Sequence, residues 1–296
     1  MKRLTFTVFL GLVTGVATMN AQVVTINMGG GESKKSPIDK VLFIAQYEMA
    51  FIQDTSHLDQ IKEETMILKV GEKCAHFYSY TKFVTDSLFQ AELAKVVAQS
   101  GGGSFSFSQQ GGSNPGMITY QIYKNYPAGK VTTLEQLGGR NLFRCEETNE
   151  CPEWQILSDT ATILSHLCYK ATCRFKGRDY TAWFAPTIPR GEGPWKLCGL
   201  PGLILHAEDS RKHYVFECTG LKNVQGDEIL YGDDNYEPVS RSTLNKTYER
   251  AAADPIGFMT ASMPNAQVRV MTADGEAVNA SSLNNRPYNP IELSEQ

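Results

Sequence analysis

The chain has 296 residues, enough for one large domain or two small ones with a sizeable core. An apolar fraction of 42% and a charged fraction of 20% exclude wholesale disorder. Net charge is −4 and no basic block occurs, so nucleic acid and anionic membrane surfaces are excluded as electrostatic partners.

The amino terminus reads as an address. Lys2 and Arg3 precede an apolar run from Leu4 to Ala17, and Ala21 offers a small residue for cleavage before Gln22. Residues 1–21 are therefore expected to be a signal peptide, placing the mature protein in the periplasm or on the outer cell surface. The run is too short and too interrupted by Thr and Gly to be a transmembrane anchor. No cysteine follows it to carry a lipid, and no later stretch is long enough to span a bilayer.

Residues 22–37, rich in Gly, Ser and Lys, predict a flexible leader, and 38–296 a single β-rich domain. Lys40 to Asp54 has the aliphatic and aromatic content and partial alternation of a strand. Glu64 to Tyr80, broken at Val70-Gly71-Glu72, predicts a hairpin. Asp86 to Ser100 spaces Leu88, Phe89, Leu93, Val96 and Val97 helically, with Asp86 as the cap. A low-complexity loop, GGGSFSFSQQGGSNPG, follows near 100–116.

Short strands are then expected at Met117–Lys124, Arg140–Glu146, Gln155–Leu157, Cys168–Phe175 and Tyr180–Phe184. Leu203–Glu208 and Arg211–Thr219 predict a hairpin, and Pro238–Ala253 a second helix with Leu244, Tyr248 and Ala252 on one face. The last forty or so residues predict coil with one or two short strands. Strands and helices do not alternate as a parallel sheet requires. The fold class is therefore mainly β: a curved antiparallel sheet, a bowl or half-barrel, with one or two covering helices.

Seven cysteines in an exported chain point to disulfides. Cys145 and Cys151 bracket a polar turn, and Cys198 and Cys218 flank the predicted hairpin, so each pair is a candidate. Cys168 and Cys173 on one extended strand would stand about 16 Å apart, beyond disulfide reach without a bulge. Cys74 is the odd one out, and the connectivity stays open.

No nucleophile elbow, phosphate loop, dinucleotide fingerprint or HExxH motif is present. Cys74 and His76, two apart on a predicted strand, face one way and are weak candidates for a soft metal. No other metal site and no cofactor is indicated. His206 and His213 flank a predicted turn, where solvent-exposed imidazoles are the simpler reading. Ser165-His166 with scattered acids supplies the ingredients of a hydrolase, as any chain of this length does.

The segment GPWKLCGLPGLIL, residues 193–205, is unusual because it is both rich in turn residues and apolar. Proline restricts its own backbone and that of its predecessor, while Gly199 and Gly202 reach conformations that leucine adopts only at a cost. Two readings follow. In one, the loop is a rigid hinge that buries its leucines and launches the next strand. In the other, Trp183, Trp195, Leu200 and Pro201 line a concavity for an apolar or peptide ligand.

The hexapeptide Gly199-Leu200-Pro201-Gly202-Leu203-Ile204 resembles the signature of the GLPGLI family, exported proteins of Bacteroidetes bacteria with no established activity. Ala171-Thr172, Gly177-Arg178, Ala182-Trp183, Ile188-Pro189, Gly193-Pro194-Trp195-Lys196 and the ending Tyr288-Asn289-Pro290-Ile291-Glu292-Leu293 fit its wider pattern. The Gly/Ser insert near 100–116 and the extra cysteines depart from it. The resemblance implies a β-rich, non-catalytic module, similar to the bowl-like domain attached to some secreted N-glycan amidases. It also implies an envelope partner such as a TonB-dependent receptor. The expected function is a non-catalytic ligand- or protein-binding module of the cell envelope, with a glycan or peptide hydrolase and a soft-metal binder as alternatives.

Overall fold

The computed structural model describes residues 6–12, 20–26, 35–88, 105–107, 118–138, 141–233, 235–262, 284–285 and 287–293. Strands β1 (Phe6–Leu12), β2 (Asn20–Ile26) and β6 (Phe105–Phe107) form a small sheet in the order β2-β1-β6. Everything else is organised by one large open sheet.

That sheet grows from β3 (Ser36–Ile52), a 17-residue strand whose Ala45, Tyr47, Met49 and Phe51 alternate inward with polar or half-exposed neighbours. On one side β3 pairs β4 (Ile61–Gly71), which turns into β5 (Ala75–Ser79), and then β7 (Gln121–Lys124), β8 (Lys130–Leu137) and β9 (Asn141–Thr148). On the other side lies β14 (Tyr214–Asn223), followed outward by β13 (Leu203–Asp209), β12 (Arg178–Ala185), β11 (His166–Phe175) and β10 (Gln155–Ile163). These neighbours are all antiparallel. The two-residue β16 (Glu237–Pro238) adds a parallel edge to β9, and β15 (Glu228–Tyr231) pairs the start of β3. Register shifts within the pairings of β3, β10, β12 and β14 mark bulges, which increase twist and bend a sheet.

The mainly β, open antiparallel architecture expected from the sequence is thus present. Strand β8 was missed although Val131, Thr132 and Thr133 are β-branched, and it is one of the most buried strands. The first helix begins earlier than expected. Residues 80–88 form helix α1, capped by Ser79, whose Oγ accepts from the Lys82 backbone N–H at 2.9 Å. The remainder of the predicted 86–100 helix lies outside the described residues, as does most of the 100–116 loop. The later helix α2 (Arg241–Ala253) is capped by Ser240, so Pro238 stays outside it. Helix α3 (Pro255–Ser262) replaces the start of the expected terminal coil.

The main core gathers one face of the sheet with Trp195, Leu197, Leu200, Leu203, Ile204 and Leu205. A smaller cluster of Val41, Cys74, Tyr123, Leu134 and Ile229 covers the other face of β5, β7 and β8. Strands β4 and β5 are buried between the two clusters. No helix of the described residues is long and apolar enough to cross a membrane.

Candidate functional site

The hexapeptide loop is buried despite its turn residues, and the reason lies in where its polar groups go. A buried backbone must find a partner for each N–H and C=O. The Leu203 and Ile204 N–H groups donate to the Ile188 and Glu192 carbonyls at 3.0 and 2.9 Å, and Gly199 N–H to Gly191 at 2.8 Å. Tyr47 donates to the Ile204 carbonyl at 2.7 Å, and Trp154 Nε1 to the Cys198 carbonyl at 2.8 Å. Lys124, on β7, sends its ammonium under the loop to the Gly193 carbonyl at 2.7 Å, the Leu197 carbonyl at 3.3 Å and Glu192 at 2.6 Å. One buried cation thereby satisfies two carbonyls and neutralises one carboxylate of a segment that has no sheet of its own.

Two glycines of the motif are steric requirements. Gly199 has φ +92, and a Cβ there would stand 2.8 Å from Cys151 Cβ. At Gly202 a Cβ would meet the Ala185 carbonyl oxygen at 2.3 Å, because the loop crosses the end of β12 in backbone contact. Trp195 also occupies left-handed backbone, φ +51, with its ring held against Phe175 and Tyr180 at centroid distances of 5.7 and 6.1 Å.

Of the residues expected to line a concavity, Trp195 and Leu200 are core residues at 1% and 2% exposure, and Pro201 is exposed. Trp183 is half-buried, and strand alternation sends it to the face opposite Tyr180 and Phe184. The two tryptophans therefore do not share one rim.

Disulfide pairing also differs from both candidate pairs. Cys151 joins Cys198 with Cα atoms 5.2 Å apart, fastening the segment before β10 to the hexapeptide loop. Cys145 faces inward from β9 and Cys218 from β14, and both are free, as are Cys74, Cys168 and Cys173. Sequence spacing placed each cysteine beside its neighbour in the chain, whereas sheet order brings distant segments together.

Cys74 and His76 both enter the second cluster, but each is already engaged. Burial, and then the adjoining Asp39 carboxylate, push the Cys74 thiol up to about 12. His76 is stacked between Tyr78 and Tyr123 at 4.6 and 4.1 Å, and its Nε2 donates to Gln121 Oε1 at 3.1 Å. Burial holds the imidazole down at about 3, so it is neutral. Among the described residues no three His, Cys, Asp or Glu side chains gather as metal ligands would.

The hydrolase ingredients do not assemble at the other histidines. His57 meets Asp54 at 2.8 Å and Ser56 Oγ at 3.0 Å, but both contacts end on Nδ1 in one exposed turn. A general base needs its two ring nitrogens divided between orienting acid and nucleophile. His166 contacts Thr187 Oγ1 at 3.0 Å, and His206 lies 3.7 Å from Glu208. None of these contacts puts a histidine between nucleophile and acid.

Interior charges are paired into frames. Lys196 bridges Glu147 and Glu292 at 2.6 Å each, and Arg241 at the start of α2 reaches Glu147 at 2.6 Å. Burial pushes the Glu147 carboxyl up, but the Lys196 charge and the Arg241 hydrogen bond and charge outweigh it and hold the group at about 2. Arg178 pairs with Asp209 at 3.0 Å, both almost wholly buried. Sequence reasoning assigned no role to Lys124, Lys196 or Arg178. The available signal was a lone cation inside an apolar run, Trp195-Lys196-Leu197; Lys124, before Asn125, and Arg178, between Gly177 and Asp179, carry none.

The face away from the core is different. Cross-strand partners share a face, and the register runs Lys170, Trp183, His206, Glu217, Glu48, Thr65 across β11, β12, β13, β14, β3 and β4. None of these side chains is fully buried, and the Lys170 ammonium lies over the Trp183 ring at 5.9 Å. Two positions before Trp183 on β12, Thr181 helps to line a shallow trough of about 420 Å³ with Gln155, Thr172, Arg174 and Asp179 among others. Its size is within the range of small-ligand sites, and its lining is polar.

A family model described as "Protein of unknown function (Porph_ging)" matches residues 174–206, a span holding Gly177-Arg178, Trp183, Trp195 and the whole hexapeptide. No curated protein matches the chain. Two solved structures are similar to it, "Structure of PNGF-II in P21 space group" and "Structure of PNGF-II in C2 space group". Both are 13% identical to it, with TM-scores of 0.47 and 0.44 over 71% and 69% of this chain. The match covers 33% and 31% of those chains, so this chain spans about a third of their length.

Proposed function

We propose that this is an exported cell-envelope protein of the GLPGLI kind that acts by binding a partner, with the open face around Trp183 as its contact surface. The observation that carries this reading is the opposite fate of two tryptophans. Trp195 is wholly buried in the core, whereas Trp183 packs against the core's edge and stays partly exposed beneath the Lys170 ammonium, two positions from Thr181 of the trough lining. Aromatic residues with a cation above them are frequent anchors of recognition surfaces. The interior charges that would be candidates for chemistry hold the loop, α2 and the C-terminal segment instead. Export rests on the Lys2-Arg3 and Leu4–Ala17 pattern at the amino terminus. An envelope protein such as a TonB-dependent receptor is the partner that the resemblance implies.

The test is a Trp183→Ala variant used as bait in pull-downs from envelope extracts, with its thermal midpoint measured alongside. Loss of a partner that the unaltered protein retains, at an unchanged midpoint, is the expected result. Equal recovery by the folded variant removes this surface from the proposal. Trp195→Ala is unsuitable, because its ring is core and the experiment would report on folding.

A further inference from the structure

Residues Asn289–Leu293 lie in coil, yet they are gripped as closely as any strand. Asn289 donates through Nδ2 to the Ile52 carbonyl at 2.7 Å. Its Oδ1 accepts from Arg178 Nη2 at 2.9 Å, and its carbonyl from the Tyr214 hydroxyl at 2.6 Å. The same guanidinium donates to the Pro290 carbonyl at 2.6 Å and to the Ile291 carbonyl at 3.0 Å. Glu292 meets Lys196 at 2.6 Å and Arg241 at 3.6 Å. Leu293 N–H donates to the Lys176 carbonyl at 3.0 Å, and its Cβ would stand 2.6 Å from a Cβ at Gly177. Backbone and side chain are both read, one residue after another.

The groups that do the reading are held by the body of the fold. Asp209 pairs with the Arg178 guanidinium at 3.0 Å and accepts from the Tyr214 backbone N–H at 2.7 Å. The guanidinium lies over the Tyr214 ring at 4.9 Å. A planar donor fork fixed in this way is suited to carbonyl and amide oxygens of an extended peptide. The arrangement is that of a receptor with a bound peptide, in which the peptide is tethered through residues 263–283.

We propose that the groove framed by Gly177, Arg178, Tyr214 and Lys196 is a recognition site for an extended Asn-Pro-Ile-Glu-Leu segment. It is filled in cis by residues 289–293 and exchanges that segment for the same one supplied in trans, from a second copy of this chain or a free peptide. This inference does not depend on the surface around Trp183. Because the cis segment belongs to the same chain its binding is intramolecular, so the intact chain excludes a free peptide until the chain is cut between the two parts.

The experiment uses the full chain with a protease site placed between residues 263 and 283 and cleaved after folding. The cut C-terminal piece is expected to co-elute with the body in size-exclusion chromatography. A labelled peptide of residues 284–296 then replaces it one for one, while the uncut chain takes up at least tenfold less label at the same concentration. Peptides carrying Asn289→Ala or Glu292→Gln leave the body untouched and are expected to bind at least tenfold more weakly. Loss of the cut piece from a body that keeps its far-ultraviolet signal overturns the proposal. So does exchange that occurs only when the body unfolds, or equal binding of the altered peptides.

Discussion

Lys124 and Glu192 meet at 2.6 Å beneath the hexapeptide loop, the lysine side chain 1% exposed and the glutamate 24%. The pair belongs to different layers of the chain, β7 and the loop, and the ammonium also holds the Gly193 and Leu197 carbonyls. Lys124→Met keeps the apolar stem but leaves three acceptors without their cation. The expected loss is about 3 kcal/mol, the scale for breaking a buried pair from one side. Adding Glu192→Gln should restore part of it, because the orphaned charge is removed and neighbouring effects do not add. Urea midpoints of the two variants measure both effects. A single-variant loss below about 1 kcal/mol would mean that water replaces the ammonium.

The glycines of the motif should differ sharply from glycines elsewhere. Gly202→Ala forces a Cβ to within 2.3 Å of a backbone oxygen that cannot swing aside, so backbone must move. Gly226, at φ +77, has nothing within 4 Å of its notional Cβ, so Gly226→Ala carries only conformational strain of roughly 1 kcal/mol. Thermal unfolding of both variants should show Gly202→Ala several times more destabilising. Equal shifts would show that the crossing relaxes freely.

Acid should unfold this protein partly through His76. Burial holds its folded-state value at about 3, against an ordinary value of 6.5. Below 6.5 the unfolded chain takes up a proton that the folded one refuses, so stability is complete above that pH and is lost progressively toward 3. The full shift amounts to about 5 kcal/mol. His76→Phe preserves the stack with Tyr78 and Tyr123 and removes the titration, at the cost of the Gln121 hydrogen bond. Unfolding free energies measured from pH 7 to 4 should therefore fall less steeply in the variant. Parallel slopes would place the acid sensitivity of that range elsewhere, since the contribution of Glu147 is lost only between its ordinary value of 4.5 and about 2.

Much of the architecture was legible because strands advertise themselves through composition and period. Lys40–Asp54, Cys168–Phe175 and Tyr180–Phe184 were each found within a few residues as β3, β11 and β12. Strand β8 was not, because a segment buried on both faces loses the alternation that marks a half-exposed strand. The first helix is capped seven residues earlier than expected, by Ser79 and not Asp86, because a strand running straight into a helix leaves no turn to read.

Sequence alone determined that the hexapeptide region is kinked and rich in apolar side chains, since glycine and proline restrict or free the backbone locally, but it left open whether those side chains fill a core or line a concavity. It also determined the strand-rich, antiparallel character of the chain, which follows from short-range periodicity. Tertiary structure alone decided which cysteines pair, which tryptophan is buried, and that Arg178 and Lys196 clasp Asn289–Glu292. Those outcomes depend on the order and register of strands far apart in the chain, and partners 47 to 111 residues distant leave no local mark on either segment.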